Sequence, residues 1–113
     1  GISRIGYIVA GSGSTRWVNS VGVHDGEWHH VVFSRSSSGV TRLFVDGDSV
    51  HTRTHNTANR IASEPYCVFV GQDQDCDCGC LDRSQAYRGD LSELSIWDYA
   101  VTLEAEAQAL MDN

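Results

Sequence analysis

Positive charge is scarce in this chain, and long apolar runs are missing. Its 113 residues include 8 Lys and Arg against 15 Asp and Glu, which gives a formal net charge of −7. Because an acidic surface repels polyanions, we expect neither nucleic acid nor an anionic membrane surface as the main partner. No stretch approaches the roughly 20 apolar residues that a membrane-spanning helix needs. We therefore expect no membrane insertion.

Internal repeats, low-complexity tracts and an internal domain boundary are also missing, as is an initiator Met. We therefore expect one domain over residues 1–113, derived from a processed or trimmed polypeptide. Hydrophobic residues make up 41% of the chain and charged residues 20%. This balance favours a folded chain with a modest core over a disordered one.

Short extended stretches separated by glycine-containing turns dominate the sequence. Asp46-Gly47 is the strongest hairpin signal, because it lies between the alternating stretch 41–45 and a return strand at 48–53. Further strands are predicted at 5–9, 15–19, 28–34, 67–71 and 89–99. Thr102 can cap a final helix, and its apolar positions are Leu103, Ala107, Leu110 and Met111. The pattern predicts an all-β antiparallel sandwich with one C-terminal helix.

Residues 71–85 form an acidic segment rich in cysteine and glutamine. Between Asp73 and Asp82 there are four aspartates and no Lys or Arg. Carboxylates interleaved with amides offer the hard oxygen ligands that Ca²⁺ takes, usually six to eight of them. A solvated acidic loop is the alternative, but the cysteines within the segment can hold it in one shape. The segment therefore predicts a calcium site.

The four cysteines are Cys67, Cys76, Cys78 and Cys80. An even count in a short chain predicts disulfides and an oxidising compartment. Two of the three pairings need a bridge across a single residue, which is cramped for disulfide geometry. This favours Cys67–Cys78 with Cys76–Cys80. A zinc site made of thiolates and a bridge to another chain stay open as alternatives.

Two parts of the sequence together resemble a known family. Residues 25–32, DGEWHHVV, and residues 43–47, LFVDG, resemble core strands of laminin-G-like and pentraxin-like jelly rolls. The more specific match is to the calcium loop and following strand of pentraxins, and it covers Val70–Asp75, Asp82, Gln85, Gly89–Leu91 and Ile96–Asp98. The resemblance implies a jelly roll. Since such sandwiches commonly reach about 200 residues, we expect a shortened one that lacks its N-terminal part.

The resemblance also implies which residues hold calcium. Asp73 and Asp75 correspond to acids that bridge two ions, and Gln74 corresponds to a residue that gives its backbone carbonyl. Asp82 and Gln85 correspond to outer ligands of the second ion. The family usually has Glu where Asp73 and Asp82 stand, and its first ion also takes an upstream Asp-Asn pair. We therefore expect one or two Ca²⁺ ions.

As a function, the resemblance implies a secreted, oligomeric recognition protein of innate immunity, whose Ca²⁺ takes ligand oxygens. Residues 10–15 contain no acid to meet a quaternary ammonium, which favours carbohydrate over phosphocholine or phosphoethanolamine. Trp17 and Tyr87 are candidate aromatic platforms for the ligand. The competing interpretation is a structural or adhesion module of the laminin-G-like type, in which Ca²⁺ only stabilises a loop.

Catalysis and a histidine metal site are disfavoured by spacing. Retaining glycosidases need two carboxylates about 5 Å apart, whereas Asp90 and Glu93 would face opposite sides of a regular strand. His29 and His30 would also point to opposite faces of a strand, so they could not share one ion. We therefore expect a protein that is not an enzyme, and a structural or surface role for its histidines.

Overall fold

The computed structural model describes residues 5–7, 16–18, 21–55, 69–72, 74–76 and 79–112. Its strands are β1 Ile5–Tyr7, β2 Arg16–Val18, β3 Val31–Arg35, β4 Val40–Val45, β5 Asp48–Thr54, β6 Gln74–Cys76 and β7 Gly79–Leu81. A 3₁₀ helix covers Arg83–Gln85, and helix α1 covers Glu104–Asp112. All strand pairings among these described residues are antiparallel, in the order β1-β2, β3-β4-β5 and β6-β7. The predicted all-β antiparallel fold with a C-terminal helix is confirmed.

The chain divides into two compact units. One consists of Gly1–Asn59 and Trp97–Asn113, and the other of Arg60–Ile96. The first unit contains the three-stranded sheet and helix α1, and the second contains the β6–β7 hairpin and the 3₁₀ helix.

Strand β4 is the centre of the three-stranded sheet and is buried on both faces. Thr41, Leu43, Phe44 and Val45 are all buried, and Phe44 is only 1% exposed. Since successive side chains of a strand point to opposite faces, Leu43 and Phe44 contribute to two different layers. The alternation at 41–45 therefore predicts the strand correctly, although neither of its faces is left to solvent.

The β4–β5 hairpin turns at Asp46-Gly47, as the sequence predicts. Both residues have positive φ, 52° and 86°, and they join the paired residues Val45 and Asp48. Positive φ at both central positions is the requirement of a type I′ turn, which suits the twist of the flanking strands. A register shift between Leu43 and Phe44 leaves one extra residue in β5, which is a β-bulge.

Helix α1 covers one face of the sheet. Its Ala107 packs with Phe44 and Val101 in the core, and Leu110 lies against this cluster. The predicted inward position of Ala107 is therefore right, whereas Leu103 is exposed because it precedes the first helical residue. No helix within the described residues is long and apolar enough to cross a bilayer.

The first turn of α1 is capped from within the helix. One carboxylate oxygen of Glu106, Oε2, accepts the backbone N–H groups of Thr102 (2.8 Å) and Leu103 (3.0 Å). This is the return half of a capping box, in which an acid in the first turn satisfies donors before the helix. The predicted cap at Thr102 is wrong, because Leu103 is the residue before the helix whose carbonyl accepts the N–H of Ala107, and the Thr102 hydroxyl donates to Glu106.

Tyr7 of β1 lies against the opposite face of the sheet from α1. Its hydroxyl is 3.0 Å from Oγ1 of Thr41, and its ring centroid is 5.1 Å from that of Phe33. A second ring contact, at 5.6 Å, joins Tyr7 to His51 of β5. A hydrogen bond at the tip and ring packing along the body satisfy both parts of a tyrosine side chain.

The predicted strand at 89–99 is wrong. The backbone there is irregular, and Glu93 has a positive φ of 54°, which breaks an extended run because non-glycine residues rarely adopt it in a strand. Leu94 and Ile96 are 66% and 77% exposed. The argument from strand geometry against an Asp90–Glu93 pair therefore falls away. The stretch 67–71 forms no strand within its described part, residues 69–71.

Candidate functional site

The β6–β7 hairpin folds the acidic segment back on itself. Gln74 pairs with Leu81, and Cys76 pairs with Gly79. The backbone of Gln74 therefore lies beside the residue that directly precedes Asp82. This register brings the β6 residues Gln74 and Asp75, two of the predicted calcium ligands, towards the start of the 3₁₀ helix. Two further predicted ligands, Asp82 and Gln85, lie at the beginning and the end of that helix.

Asp82 begins that 3₁₀ helix as its N-cap. Its Oδ1 accepts the backbone N–H of Ser84 at 2.8 Å, and its carbonyl oxygen accepts the N–H of Gln85 at 3.0 Å. Aspartate followed two residues later by serine is a common signal for this side-chain turn. The bond from the Ser84 N–H holds the pKa of the Asp82 carboxyl below its ordinary value, so the group is ionised at neutral pH.

The Asp82 carboxylate is exposed, and besides the Ser84 N–H it is also hydrogen-bonded by the Ser84 side chain. The side chain of Gln85 is also exposed and makes no hydrogen bond within the described part of the chain. An ionised carboxylate oxygen and an exposed amide oxygen suit Ca²⁺, which prefers hard oxygen ligands. The donor chemistry of these two residues therefore fits the predicted ion.

Gln72 is a positioning residue that the sequence argument misses. Its side-chain amide donates to the carbonyl oxygen of Asp82, so it links the segment before β6 to the cap of the 3₁₀ helix. Gly71, with a φ of 77°, makes the bend, and its carbonyl accepts the N–H of Tyr87 at 2.7 Å. A glutamine among acids and other amides looks like one more ligand, so no sequence signal separates it from Gln74.

Tyr87 lies two residues after the 3₁₀ helix, and its side chain is exposed. The hydroxyl end of the ring lies close to Gly89, where an added Cβ would be 2.8 Å from the Tyr87 hydroxyl. A glycine at this position therefore leaves the space that the Tyr87 ring occupies. Trp17, the other predicted platform, is paired with Gly6 in the β1–β2 ladder. Its side chain lies outside the described residues, and its backbone belongs to the other unit.

Cys80 is the cysteine that the structure describes best. It takes part in a disulfide and has a left-handed backbone, with a φ of 56°. Cys67, Cys78 and the side chain of Cys76 lie outside what the structure describes. The pairing Cys67–Cys78 with Cys76–Cys80 therefore stays a prediction.

The full set of five calcium ligands also stays a prediction. Asp73 lies outside the described residues, and Gln74 and Asp75 are described by their backbone alone. Among the described residues no group of three or more His, Cys, Asp or Glu side chains could hold a metal ion. Because two of the three predicted acids are absent from that search, the finding leaves the proposed set untested.

Sequence comparison finds several curated relatives. The chain is 37% identical over 86 residues to C-reactive protein 1.1 of Limulus polyphemus, which covers 73% of this chain and 35% of that protein. It is 32% identical over 77 residues to neuronal pentraxin-2 of Cavia porcellus, covering 67% of this chain and 18% of that one. A protein of Rattus norvegicus, named for its sushi, von Willebrand factor type A, EGF and pentraxin domains, is 26% identical over 98 residues.

The chain spans only a small part of these relatives, from 3% of the rat protein's length to 35% of the Limulus protein's length. Among solved structures, the chain is similar to residues 221–444 of an S-layer domain-containing protein from Clostridium thermocellum. The TM-score is 0.60 at 20% identity, and the match covers 86% of this chain and 44% of that one. This similarity supports the fold alone.

The decisive comparison is with the family model described as "Pentaxin family", which matches residues 4–112. The match includes the hairpin at Asp46-Gly47 and the whole acidic segment. Members of this family are in general non-enzymatic recognition proteins that bind ligands in a calcium-dependent way. Because the match covers nearly every residue, this chain belongs to the pentaxin family, the pentraxins.

Proposed function

We propose that this chain is a calcium-dependent carbohydrate-binding protein, with the ligand held at a Ca²⁺ site in the 73–85 loop. Asp73, Gln74, Asp75, Asp82 and Gln85 are the proposed ligands of one or two ions. The observation that carries the proposal is the β6–β7 register, since Gln74 pairs with Leu81 directly before Asp82. When bound, Ca²⁺ supplies open coordination positions that ligand hydroxyl oxygens can fill.

The residues of the chain would have separate tasks in this site. The ionised Asp82 offers carboxylate oxygen, and its Oδ1 is held by the Ser84 N–H. Gln72 keeps the Asp82 backbone in place through its carbonyl. Tyr87 offers an exposed ring next to the loop, and aromatic faces commonly pack against the apolar face of a bound ligand.

We extend the proposal to a single pentraxin-like domain that is secreted and forms a homo-oligomer. The disulfide at Cys80 supports an oxidising, extracellular compartment. The side chains of Leu91, Leu94 and Ile96 are exposed and apolar. Exposed apolar patches commonly mark interaction sites, which supports a homo-oligomer in which another subunit covers these side chains. Analytical ultracentrifugation at micromolar concentration tests the assembly, and a sedimenting monomer would contradict it.

The calcium site is tested by calorimetry on Asp75→Asn, with Asp48→Asn as the matched control. Both changes remove one carboxylate charge, and Asp48 lies in the β5 strand of the other unit. Because even an outer-shell partner of a metal ligand is worth roughly 10–100-fold in affinity, Asp75→Asn is expected to weaken Ca²⁺ binding by at least that much. The control is expected to bind like the unmodified chain, and equal affinities in both variants would refute the site.

The ligand class is tested on columns of immobilised galactose, mannose and phosphocholine, loaded in Ca²⁺ and eluted with EDTA. Retention on a sugar column supports the proposal. Retention on phosphocholine alone would move the ligand to phosphorylated head groups while leaving the calcium site intact. Calcium binding without retention on any column would support a structural or adhesion module instead.

A further inference from the structure

A histidine held between two aspartates lies apart from the calcium loop. Nδ1 of His29 is 2.8 Å from Oδ2 of Asp46, and its Nε2 is 2.9 Å from Oδ1 of Asp25. The imidazole is largely enclosed, with 16% of its side chain exposed, while both carboxylates remain about half exposed. We call these three residues the Asp–His–Asp clamp.

The proton count of this arrangement is fixed by chemistry. An ionised carboxylate only accepts hydrogen bonds, and a neutral imidazole has one donor nitrogen and one acceptor nitrogen. Neutral His29 could therefore satisfy one aspartate, while its other nitrogen would direct a lone pair at the second carboxylate. Both short contacts are favourable together only when the clamp holds one additional proton.

Backbone hydrogen bonds indicate that this proton belongs on His29. Oδ1 of Asp46 accepts the N–H of His30 at 2.9 Å, and Oδ1 of Asp25 accepts the N–H of Glu27 at 2.9 Å. Each of these bonds favours the ionised form of the carboxyl. Hydrogen bonds to Asp46 and Asp25 raise the pKa of His29. The hydrogen bond to His29 is in turn the main cause that lowers the pKa of Asp25 and of Asp46.

The clamp joins the segment 21–30 to the β4–β5 turn. Asp25 and His29 belong to the segment 21–30, which displays Trp28 with 69% of its surface exposed. Asp46 belongs to the type I′ turn, and its N–H donates to the carbonyl of His30 at 2.8 Å. The next residue of the turn, Gly47, lies against Gln108 of helix α1. The clamp therefore attaches a surface segment to the turn that fixes the sheet register.

We propose that Asp25, His29 and Asp46 form a proton-operated latch, which holds the segment 21–30 on the β4–β5 turn when His29 is protonated and loosens when it is not. The charged groups acting on His29 are the two aspartates, and His30 also acts on Asp46. Glu27 and His24 flank the clamp in its own segment, Asp48 follows the turn, and Glu104 of α1 accepts the N–H of Ser49 nearby.

The direction of the pH response follows from these pKa shifts. Because the pKa of His29 is raised, its contribution is complete below the ordinary histidine value of about 6.5 and is lost as the pH rises through the raised pKa. Because the pKa values of both aspartates are lowered, their contribution is complete above about 4 and is lost as the pH falls through the lowered values. The latch is therefore closed in mildly acidic solution. It opens when the pH rises far enough for His29 to lose its proton.

The test is an NMR titration of the histidine rings in the whole chain from pH 4 to 9. His29 is expected to keep both nitrogens protonated at pH 6 and to titrate above 6.5. Asp25→Asn is expected to move its pKa back towards 6.5, while the matched control Asp48→Asn leaves it unchanged. Titration of His29 at or below 6.5, or the same pKa in Asp25→Asn as in the unmodified chain, would overturn the latch.

Amide exchange provides a second readout that a merely structural contact would not move with pH. The His30 N–H, bonded to Asp46, is expected to be protected at pH 5.5 and to lose that protection at pH 8.5, after normalisation to the intrinsic exchange rate. In Asp25→Asn the protection at pH 5.5 should already be reduced. Constant protection across the range in the unmodified chain would show that the segment is not released, and would contradict the proposal.

Discussion

The sheet and helix of the first unit and the loop region 69–96 are stabilised by different interactions. In the first, Phe44, Val101 and Ala107 form a buried core between β4 and α1. In the second, Leu91, Leu94 and Ile96 are exposed, and the described bonds are polar ones that join Gly71 to Tyr87 and Gln72 to Asp82. Among the described residues, burial therefore stabilises the first region, whereas the second is held by polar bonds, a disulfide and, as we propose, an ion.

The largest effect is expected from removing the central core side chain. Phe44→Ala deletes a ring that is 1% exposed, and such a change in a core costs about 3–5 kcal/mol of unfolding free energy. Leu94→Ala, in the other region, removes a smaller side chain that is 66% exposed, so about 0.5 kcal/mol or less is expected. Urea unfolding followed by circular dichroism measures both, and similar losses would contradict the comparison.

An intermediate effect is expected from alanine at glycines with positive φ. Gly47→Ala and Gly71→Ala each place a side chain at a φ near +80°, which costs roughly 1–2 kcal/mol for an L-residue. At Gly47 the new Cβ would also displace Gln108 of α1, whereas at Gly71 it would meet Leu91 at 3.7 Å, an ordinary contact. We therefore expect the larger loss at Gly47.

Gly22→Ala is the matched control for these two variants. A Cβ at Gly22 meets nothing within 4 Å, and its φ is not positive, so a change within about 0.5 kcal/mol is expected. Thermal unfolding ranks the three variants. A loss at Gly22 as large as that at Gly47 would show that backbone conformation is not the cause.

The smallest effect is expected at the exposed cap of α1. The N–H groups of Thr102 and Leu103 lower the pKa of Glu106, so the stabilisation is complete above the ordinary glutamate value of about 4.3 and is lost as the pH falls through the lowered pKa. Glu106→Gln is expected to lower Tm slightly at pH 7 and not at pH 2.5. An equal difference at both pH values would exclude the charge as the cause.

The sequence predicts the sheet well because its signals there are local. Asp46-Gly47 requires a particular turn, and the alternation beside it defines the paired strands. The error at 89–99 arises because apolar residues at Leu91, Leu94 and Ile96 look like a strand that has partners. Whether such a segment is extended depends on neighbours elsewhere in the chain or in a partner, and Glu93 adopts a conformation that no local signal indicates.

The candidate site is predictable in its residue types and less so in its connections. The Asp-x-Ser turn at Asp82 follows from local hydrogen bonding, and the acid cluster indicates a cation. The link from Gln72 to the Asp82 carbonyl joins residues ten apart, so it depends on the bend at Gly71 and on the β6–β7 register. The clamp is not predictable from local signals, because Asp46 is 17 residues from His29 in the chain and meets it only once the β4–β5 turn has formed.

The contact of Tyr7 with Thr41 bears on the order in which the chain assembles. These residues are 34 positions apart, whereas β4 and β5 are joined by a two-residue turn. Closing a long loop costs more chain entropy than closing a short one. We therefore expect the β4–β5 hairpin to be formed in the folding transition state and Tyr7 to pack against the sheet only after it. Sequence changes in β1 would then mainly accelerate unfolding and leave the folding rate nearly unaltered.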